Sequence, residues 1–216
     1  MKALITIATI FLLFASCKKD RLTANGDMKT ETRNLGTFTG VRASGSNDIH
    51  ISYGSQYKVE LRGSSNLIPY FKTNVVNNKL VLNYGNASVW RDDLEVYVTL
   101  PMLKNINLSG SSEVDVNGNF PLINFFNVDI SGSGEVKVNN FLAAEELDIT
   151  VSGSGSADLE KLNSKRADAS ISGSGDVRVR VEDRLKASIS GSGKVYYTGS
   201  PVVESNISGS GKLIKF

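Results

Sequence analysis

Apolar and polar residues alternate along most of residues 35–216, and a Ser-Gly-Ser-Gly motif interrupts the alternation at intervals. Ala169 and Ile171 alternate with polar neighbours just before one such motif, and Val177 and Val179 do the same just after it. A period of two is typical of β-strands, whose successive side chains face opposite sides. The pattern therefore predicts a strand on each side of the motif and a sharp corner between them, where glycine accepts a positive φ.

The corner motif belongs to a repeat. Six segments that contain it align without gaps and begin at Leu108, Ile130, Val151, Ile171, Ile189 and Ile207, and a weaker seventh copy begins at Ala43. The six begin 18 to 22 residues apart, which is a spacing found in solenoid proteins. Each copy alone has only a thin apolar edge, and stacking against the next copy would bury that edge.

We predict a single-stranded, right-handed parallel β-helix with Ser-Gly-Ser-Gly corners and coils of about 18–22 residues. Three other interpretations of the motif fit less well. A flexible linker would not be flanked repeatedly by alternating Val and Ile, and a phosphate-binding loop would be followed by a helical pattern. A calcium-binding nonapeptide roll needs a fixed Asp, where this chain varies between Glu, Ser, Asp and Lys.

The first residues have the pattern of an exported protein. Residues 1–16 carry one early lysine, a short apolar run and small residues before Cys17, the only cysteine. The run is too short to span a membrane, which takes about 20 residues, and it predicts a secretory signal. The segment from Leu13 to Cys17 resembles the lipobox of bacterial lipoproteins, in which the signal is cut before a cysteine that then carries lipid. This resemblance implies lipidation of Cys17 and attachment to a membrane.

We expect three regions along the chain. These are a lipoprotein signal peptide over 1–16, a lipid-anchored polar tether over 17–34, and a β-helical domain over 35–216. Within the domain, residues 35–107 would form irregular N-terminal coils and residues 108–216 the regular repeats. Because terminal repeats of a solenoid are atypical, we expect residues 35–60 to cover the open end.

Composition excludes several kinds of function. The net charge is only +2, which argues against an electrostatic nucleic-acid binder. One Cys and one His cannot form a zinc site of the usual spacing.

Several segments together resemble the head domain of auto-transporter adhesins, the head GIN domain family. They are residues 38–51, 79–82 and 96–103 and the repeated corners, and the resemblance spans residues 36–212. It implies a β-helical domain that is exported and often lipidated.

An enzymatic site would need paired carboxylates or an acidic metal cluster. Asp92 and Asp93 would face opposite sides of an extended segment, and we expect them to form a polar turn with Arg91, before Glu95. Glu113 and Glu135 would meet across neighbouring coils, at a turn without an evident pocket. We therefore predict no catalytic residue, no metal site and no cofactor.

Exposed aromatic residues are the candidates for ligand contacts, because Trp and Tyr can stack on sugar rings. We select Trp90, Tyr97 and Tyr196, with packing in the core or cap as the alternative. The coils differ in length at 139–146, 160–166 and 182–184, and such insertions gather on one side of a solenoid, often the binding side.

These observations predict a lipid-anchored protein of the bacterial envelope, on the periplasmic or surface face of the outer membrane. It would display a β-helix for adhesion or for binding an extracellular glycan or protein, without catalysis. One alternative is a structural or assembly component of the envelope. A polysaccharide-active enzyme is a less favoured alternative.

The Cys17→Ala variant should lose its lipid and leave the membrane fraction, because acyl chains on that sulfur are the expected anchor. The measurement is fractionation after a salt wash, together with incorporation of labelled acyl chains. A variant that stays in the membrane fraction and still carries label would contradict the lipobox interpretation.

Overall fold

The computed structural model describes residues 21–140 and 142–216. Cys17 and the predicted signal peptide lie outside the described residues. The described part contains nineteen strands and one turn of 3-10 helix, Ile68–Tyr70. The strands are β1 (Arg21–Thr23), β2 (Met28–Arg33), β3 (Gly40–Gly45), β4 (Asp48–Tyr53), β5 (Lys58–Ser64), β6 (Lys72–Val76), β7 (Lys79–Asn83), β8 (Ser88–Trp90), β9 (Glu95–Leu100), β10 (Asn105–Gly110), β11 (Glu113–Asn117), β12 (Ile123–Gly132), β13 (Glu135–Val138), β14 (Leu142–Gly153), β15 (Ser156–Gly173), β16 (Asp176–Gly191), β17 (Lys194–Gly199), β18 (Val202–Gly209) and β19 (Lys212–Lys215).

The repeats stack as parallel coils, so the predicted β-solenoid is confirmed. Each copy pairs in parallel with the next, and the same position of every corner is in register, through Gly110, Gly132, Gly153, Gly173, Gly191 and Gly209. The apolar residues that alternate before and after each corner point inward. Ile149, Ala169, Val177 and Val195 are fully buried, and the core they belong to extends through the stacked coils.

The corner glycines meet two requirements at once. Gly173 has a φ of 130°, in the region that favours glycine. A Cβ on Gly173 would also collide with the carbonyl oxygen of Gly153, one coil away. The Gly173 carbonyl in turn accepts hydrogen bonds from the backbone N–H groups of Ser192 and Gly193, at 2.9 and 3.1 Å. Only a residue without a side chain allows the backbones of adjacent coils to approach this closely.

The seventh copy is a true coil, but its place in the stack differs from its place in the chain. β3 pairs with β10 in the predicted register, with Ala43 beside Leu108 and Gly45 beside Gly110. On its other side β3 pairs with β7, and β4 pairs with β9. In chain order, this coil precedes the strands on one side of it, including β7 and β9. The chain then returns to the other side of this coil with β10, where the regular repeats continue the stack.

The expectation that residues 35–107 form only wider coils of the solenoid is wrong in part. β5 runs antiparallel to β9 and β2, and β6 runs antiparallel to β7 through a turn at Asn77 and Asn78, both with positive φ. The end of the stack is thus covered by β2, β5 and β6 rather than by residues 35–60. Antiparallel strands suit this role because they add to the sheet edge without requiring another full coil.

The expected tether over 17–34 is also wrong for residues 21–33. β1 pairs in parallel with β8, and β2 pairs along its whole length with β5. The guanidinium of Arg33 donates hydrogen bonds to the carbonyls of Ile68 and Phe71 and to the hydroxyl of Thr73. Because nearly all side chains of β2 are exposed, the sequence contains no alternation that would reveal the strand.

The opposite end of the stack, formed by β18 and β19, has no such cover in the described structure. Ile207 is 40% exposed, whereas Ile189, its neighbour one coil earlier, is 2% exposed. These last strands therefore contribute less to the buried core than the coils before them.

Gly173→Val should destabilise the protein by at least about 2 kcal/mol, because valine would be strained at this φ and would strike the neighbouring backbone. Ser170→Val is the matched control. Its side chain lies on the outer side of the same strand, where valine is favoured, and its effect should stay within about 0.5 kcal/mol. Thermal or denaturant unfolding measures both variants. Equal losses would show that the corner does not depend on glycine.

Candidate ligand-binding groove

The structure does not bring the three predicted aromatic residues together. Tyr97 and Tyr196 lie in one outward column after the corner but six coils apart, which corresponds to about 29 Å. Trp90 lies on β8, is 52% exposed, and has the Arg21 guanidinium 4.9 Å from its ring centroid. These three residues therefore cannot form one binding site, and a role of each in ligand binding stays a prediction.

Tyr97 and Tyr196 already have partners within the protein. The Tyr97 hydroxyl donates a 2.6 Å hydrogen bond to Glu95, which raises the pKa of that tyrosine, and its ring lies 4.8 Å from that of His50. The Tyr196 ring packs edge-on against Phe216 at a centroid distance of 6.3 Å.

The acidic residues considered for catalysis hold loops in place. Asp92 accepts hydrogen bonds from Asn47 at 2.7 Å and from the Tyr84 hydroxyl at 2.6 Å, and burial followed by this contact raises the pKa of Tyr84. Asp93 accepts hydrogen bonds from the backbone and the hydroxyl of Ser64. Both carboxylates are thus hydrogen-bonded to the surrounding chain, as expected for a polar turn.

Glu113 and Glu135 are exposed neighbours in adjacent coils. Among residues 21–140 and 142–216, no group of three His, Cys, Asp or Glu side chains is arranged to hold a metal ion.

A groove on another side of the solenoid brings together residues that the sequence did not single out. Its floor is the first outward column of the strands before the corner, one residue from each successive coil: Asn105, Asn127, Asp148, Asp168 and Lys186. With coils about 4.8 Å apart, this column is about 19 Å long. A second column runs beside it, consisting of Phe125, Glu146, Arg166 and Arg184.

The groove contains two cavities that share Phe125. The first, which we call the lysine cavity, has a volume of about 510 Å³ and is lined by Lys79, Met102, Lys104, Asn105, Leu122, Ile123, Asn124, Phe125 and Asn127. The second, the carboxylate cavity, has a volume of about 310 Å³ and is lined by Phe125, Glu146, Leu147, Asp148, Arg166, Ala167, Asp168, Arg184 and Lys186. Together they offer a polar floor beside apolar side chains.

The apolar side of the groove arises where the alternation along β12 breaks. Ile123 and Phe126 are buried, and the two residues between them are both exposed. Phe125 is therefore turned outward and is 46% exposed, and Leu122 is 61% exposed. The same interruption recurs at the aligned positions of the next coils, before Leu147, Ala167 and Leu185, where the outward residues are charged. The feature that distinguishes β12 is therefore the apolar Phe125 at this position.

Side-chain amides form a network at the lysine cavity. The Lys79 ammonium donates a 2.6 Å hydrogen bond to Asn107, whose amide donates in turn to Asp129. The Oδ1 atom of Asn105 is buried and has no hydrogen-bond partner. Buried polar atoms are usually paired, so this oxygen, which packs against Gly40, is an exception at the cavity floor.

Most charged side chains that line the carboxylate cavity form ion pairs. Lys186 lies 3.2 Å from Asp168, and Arg166 lies 2.5 Å from Glu146. Asp148 differs, because burial and then the nearby carboxylates of Asp168 and Asp129 raise its pKa, with Lys186 opposing the shift. The cavity thus offers acceptors and donors at fixed spacing, which is suited to a ligand rich in hydroxyl groups.

Comparisons with known proteins agree with the architecture. A family model described as "Putative auto-transporter adhesin, head GIN domain" matches residues 37–201. A "putative adhesin" from Bacteroides fragilis NCTC 9343 has a similar solved structure, with a TM-score of 0.74 and 18% identity over 90% of this chain and 100% of the other. A "putative lipid binding protein" from Parabacteroides distasonis ATCC 8503 has a TM-score of 0.60 and 20% identity, over 91% of this chain and 99% of the other. At these identities the structural likeness concerns the fold alone.

No curated protein matches this chain significantly. Within the described ranges, no helix is both long enough and apolar enough to cross a membrane.

Asp148→Asn should stabilise the protein at neutral pH by ~0.2–1 kcal/mol, because like charges on facing positions of adjacent strands repel. The pKa of Asp148 is raised in the folded state, so its protonated form stabilises the fold. The wild-type protein therefore loses this part of its free energy of unfolding as the pH rises through the raised pKa. The advantage of the variant should therefore shrink as the pH falls towards the ordinary Asp value, near 4.

Unfolding curves between pH 4 and pH 8 would measure this effect. Asp176→Asn is the control, because its neighbour in the next coil is Lys194 rather than a carboxylate. Equal stabilisation by both changes, or a pH-independent gain in Asp148→Asn, would contradict the proposed repulsion.

Proposed function

The chain belongs to the auto-transporter adhesin head GIN domain family, and from this premise we propose that it binds an extracellular glycan in the groove without turning it over. The exposed Phe125 and Leu122, side by side with a polar floor, are the observation that carries the proposal. Sugars present flat apolar ring faces and a rim of hydroxyl groups. An aromatic ring can pack on the first, and amides and carboxylates can hydrogen-bond to the second.

The scaffold supports binding because it fixes the floor before the ligand arrives. Asn127, Asp148 and Asp168 project from three paired strands whose opposite faces are buried in the core. Ordering these side chains on binding costs less conformational entropy than ordering side chains on flexible loops. The repeat of about 4.8 Å between coils also suits a ligand that itself repeats, such as a polysaccharide.

An envelope location follows from the family, and the lipid anchor is our proposal. Lipidation at Cys17 would hold the chain to the membrane, and the described domain begins its first strand four residues later, at Arg21. This short connection would leave the covered end of the solenoid near the membrane and the opposite end, with β18 and β19, farther away.

One observation favours a second candidate function, hydrolysis of a polysaccharide. Asp148, with its raised pKa, and Asp168 are direct neighbours in adjacent coils. Glycoside cleavage uses a carboxyl group with a raised pKa as the acid beside a second carboxyl group. Product formation that is lost in both Asp148→Asn and Asp168→Asn would establish this function in place of simple binding.

Phe125→Ala should weaken binding to a glycan by about three- to tenfold, or ~0.7–1.4 kcal/mol, because it removes the exposed ring from the groove wall. The measurement is a glycan array followed by titration calorimetry with any glycan that binds. Tyr70→Ala is the matched control, since Tyr70 is 51% exposed and lies outside the groove, on the 3-10 turn.

Equal affinity of Phe125→Ala and wild type would contradict a role of the groove. Binding to no glycan, combined with an envelope defect on deletion of the chain, would favour the structural role.

A further inference from the structure

We infer that the lysine cavity selects an acidic sugar, with the sugar carboxylate held between Lys79 and Lys104 and neutral sugars continuing into the carboxylate cavity. This inference rests on the proposed function and specifies the ligand of the same groove. It predicts a polysaccharide or glycan chain that carries a carboxylate on one residue and none on the next.

The two cavities differ in whether their positively charged side chains form ion pairs. Neither Lys79 nor Lys104 forms an ion pair in the described part of the chain, and no carboxylate lines their cavity. In the carboxylate cavity, by contrast, Arg166 and Lys186 each contact an acidic side chain. Two positive charges that line one cavity without a carboxylate favour an anion there.

Asp129, which joins the amide network beside the lysine cavity, forms no ion pair with either lysine in the described part of the chain. Asp129 lies outside the cavity lining and accepts hydrogen bonds from Asn107 and Asn127. The Lys79 ammonium contacts the amide oxygen of Asn107, which leaves its charge available to a ligand. A carboxylate placed here would gain charge-assisted hydrogen bonds, which are stronger than hydrogen bonds between neutral groups.

Gly40 makes room for the Asn105 amide at the floor of the lysine cavity. It lies between Lys79 and Asn105 in the outward column, on the strand that separates theirs. A Cβ at Gly40 would overlap the Asn105 amide. Its φ lies outside the positive range that favours glycine, so the room taken by the Asn105 amide, rather than the backbone conformation, accounts for a glycine here. The unpaired Oδ1 of Asn105 is the atom packed closest to Gly40, so the position of this amide depends on the absence of a side chain at Gly40.

The rest of the groove explains why a saccharide is favoured over an anionic lipid. The apolar surface at Leu122 and Phe125 is short, and beyond Phe125 the groove continues over charged and polar side chains. An acyl chain would meet no continuous apolar surface there, whereas the hydroxyl groups of a sugar could form hydrogen bonds with these polar side chains. The carboxylate of Asp148, which forms no ion pair among the described residues, would repel a second acidic sugar, which is why the next residue should be neutral.

The test uses the full chain and a panel of uronate- and sialate-terminated oligosaccharides, each paired with its carboxyl methyl ester. Wild type should bind at least one acidic member about tenfold more tightly than its ester, and raising the salt concentration should weaken only the acidic member. Lys79→Gln and Lys104→Gln should each reduce binding of that acidic member by about three- to tenfold and leave ester binding unchanged. Lys29→Gln, on the exposed strand β2, is the control and should change neither.

A second pair of variants tests the position of the Asn105 amide at the cavity floor. Gly40→Ala should displace the Asn105 amide into the cavity and reduce binding of the acidic sugar at least about fivefold, with a small loss of thermal stability because a side chain can move aside. Gly36→Ala, where an added Cβ would meet nothing, should have no effect on binding.

Each other outcome has a definite meaning. Equal binding of acids and esters that still depends on Phe125 would overturn the acidic-sugar inference and leave the proposed function standing. Binding of neither would contradict both. Binding only to vesicles that contain phosphatidylglycerol, lost in Lys79→Gln and Lys104→Gln, would overturn the saccharide in favour of an anionic lipid.

Discussion

The close approach of glycine backbones at the corner is the constraint on which the rest of the structure depends. Gly153, Gly173 and Gly191 adopt a positive φ, and each packs against the carbonyl of the corner one coil earlier. This contact admits no side chain and therefore permits only one alignment of adjacent coils. Since a shift by one residue would turn every apolar side chain outward, corner and core specify the same register.

The same register determines the function that the solenoid can have. Because the coils align residue by residue, outward side chains from distant parts of the sequence form columns, and Asn105, Asn127, Asp148 and Asp168 become neighbours. A groove arises where this column lies beside the exposed Phe125 ring. The repeat thus provides a rigid frame, and the identities of the outward residues, such as Phe125 and Lys79, give the proposed ligand site its chemistry.

The sequence predicted those parts of the fold that depend on buried residues. Inward positions such as Ile171 and Val177 must be apolar, so the strands, the corners and the register of all seven copies could be derived. The strands of residues 21–33 and the antiparallel cover could not, since β2 is exposed and its partner is distant in sequence. The groove was missed for a related reason. Outward positions accept apolar and polar residues alike, and the expectation of ligand contacts was confined to Trp and Tyr, such as Trp90 and Tyr97, which left out Phe125.

The central claim is that the ligand lies in the groove formed by these columns. Chemical-shift mapping of backbone amides in the presence of a soluble uronate-terminated oligosaccharide would test it most directly. The account predicts shifts concentrated at residues 104–107, 123–127 and 147–149, which form adjacent coils at the two cavities. Shifts confined to the surroundings of Tyr97, Tyr196 or Trp90, with none in the groove, would contradict it.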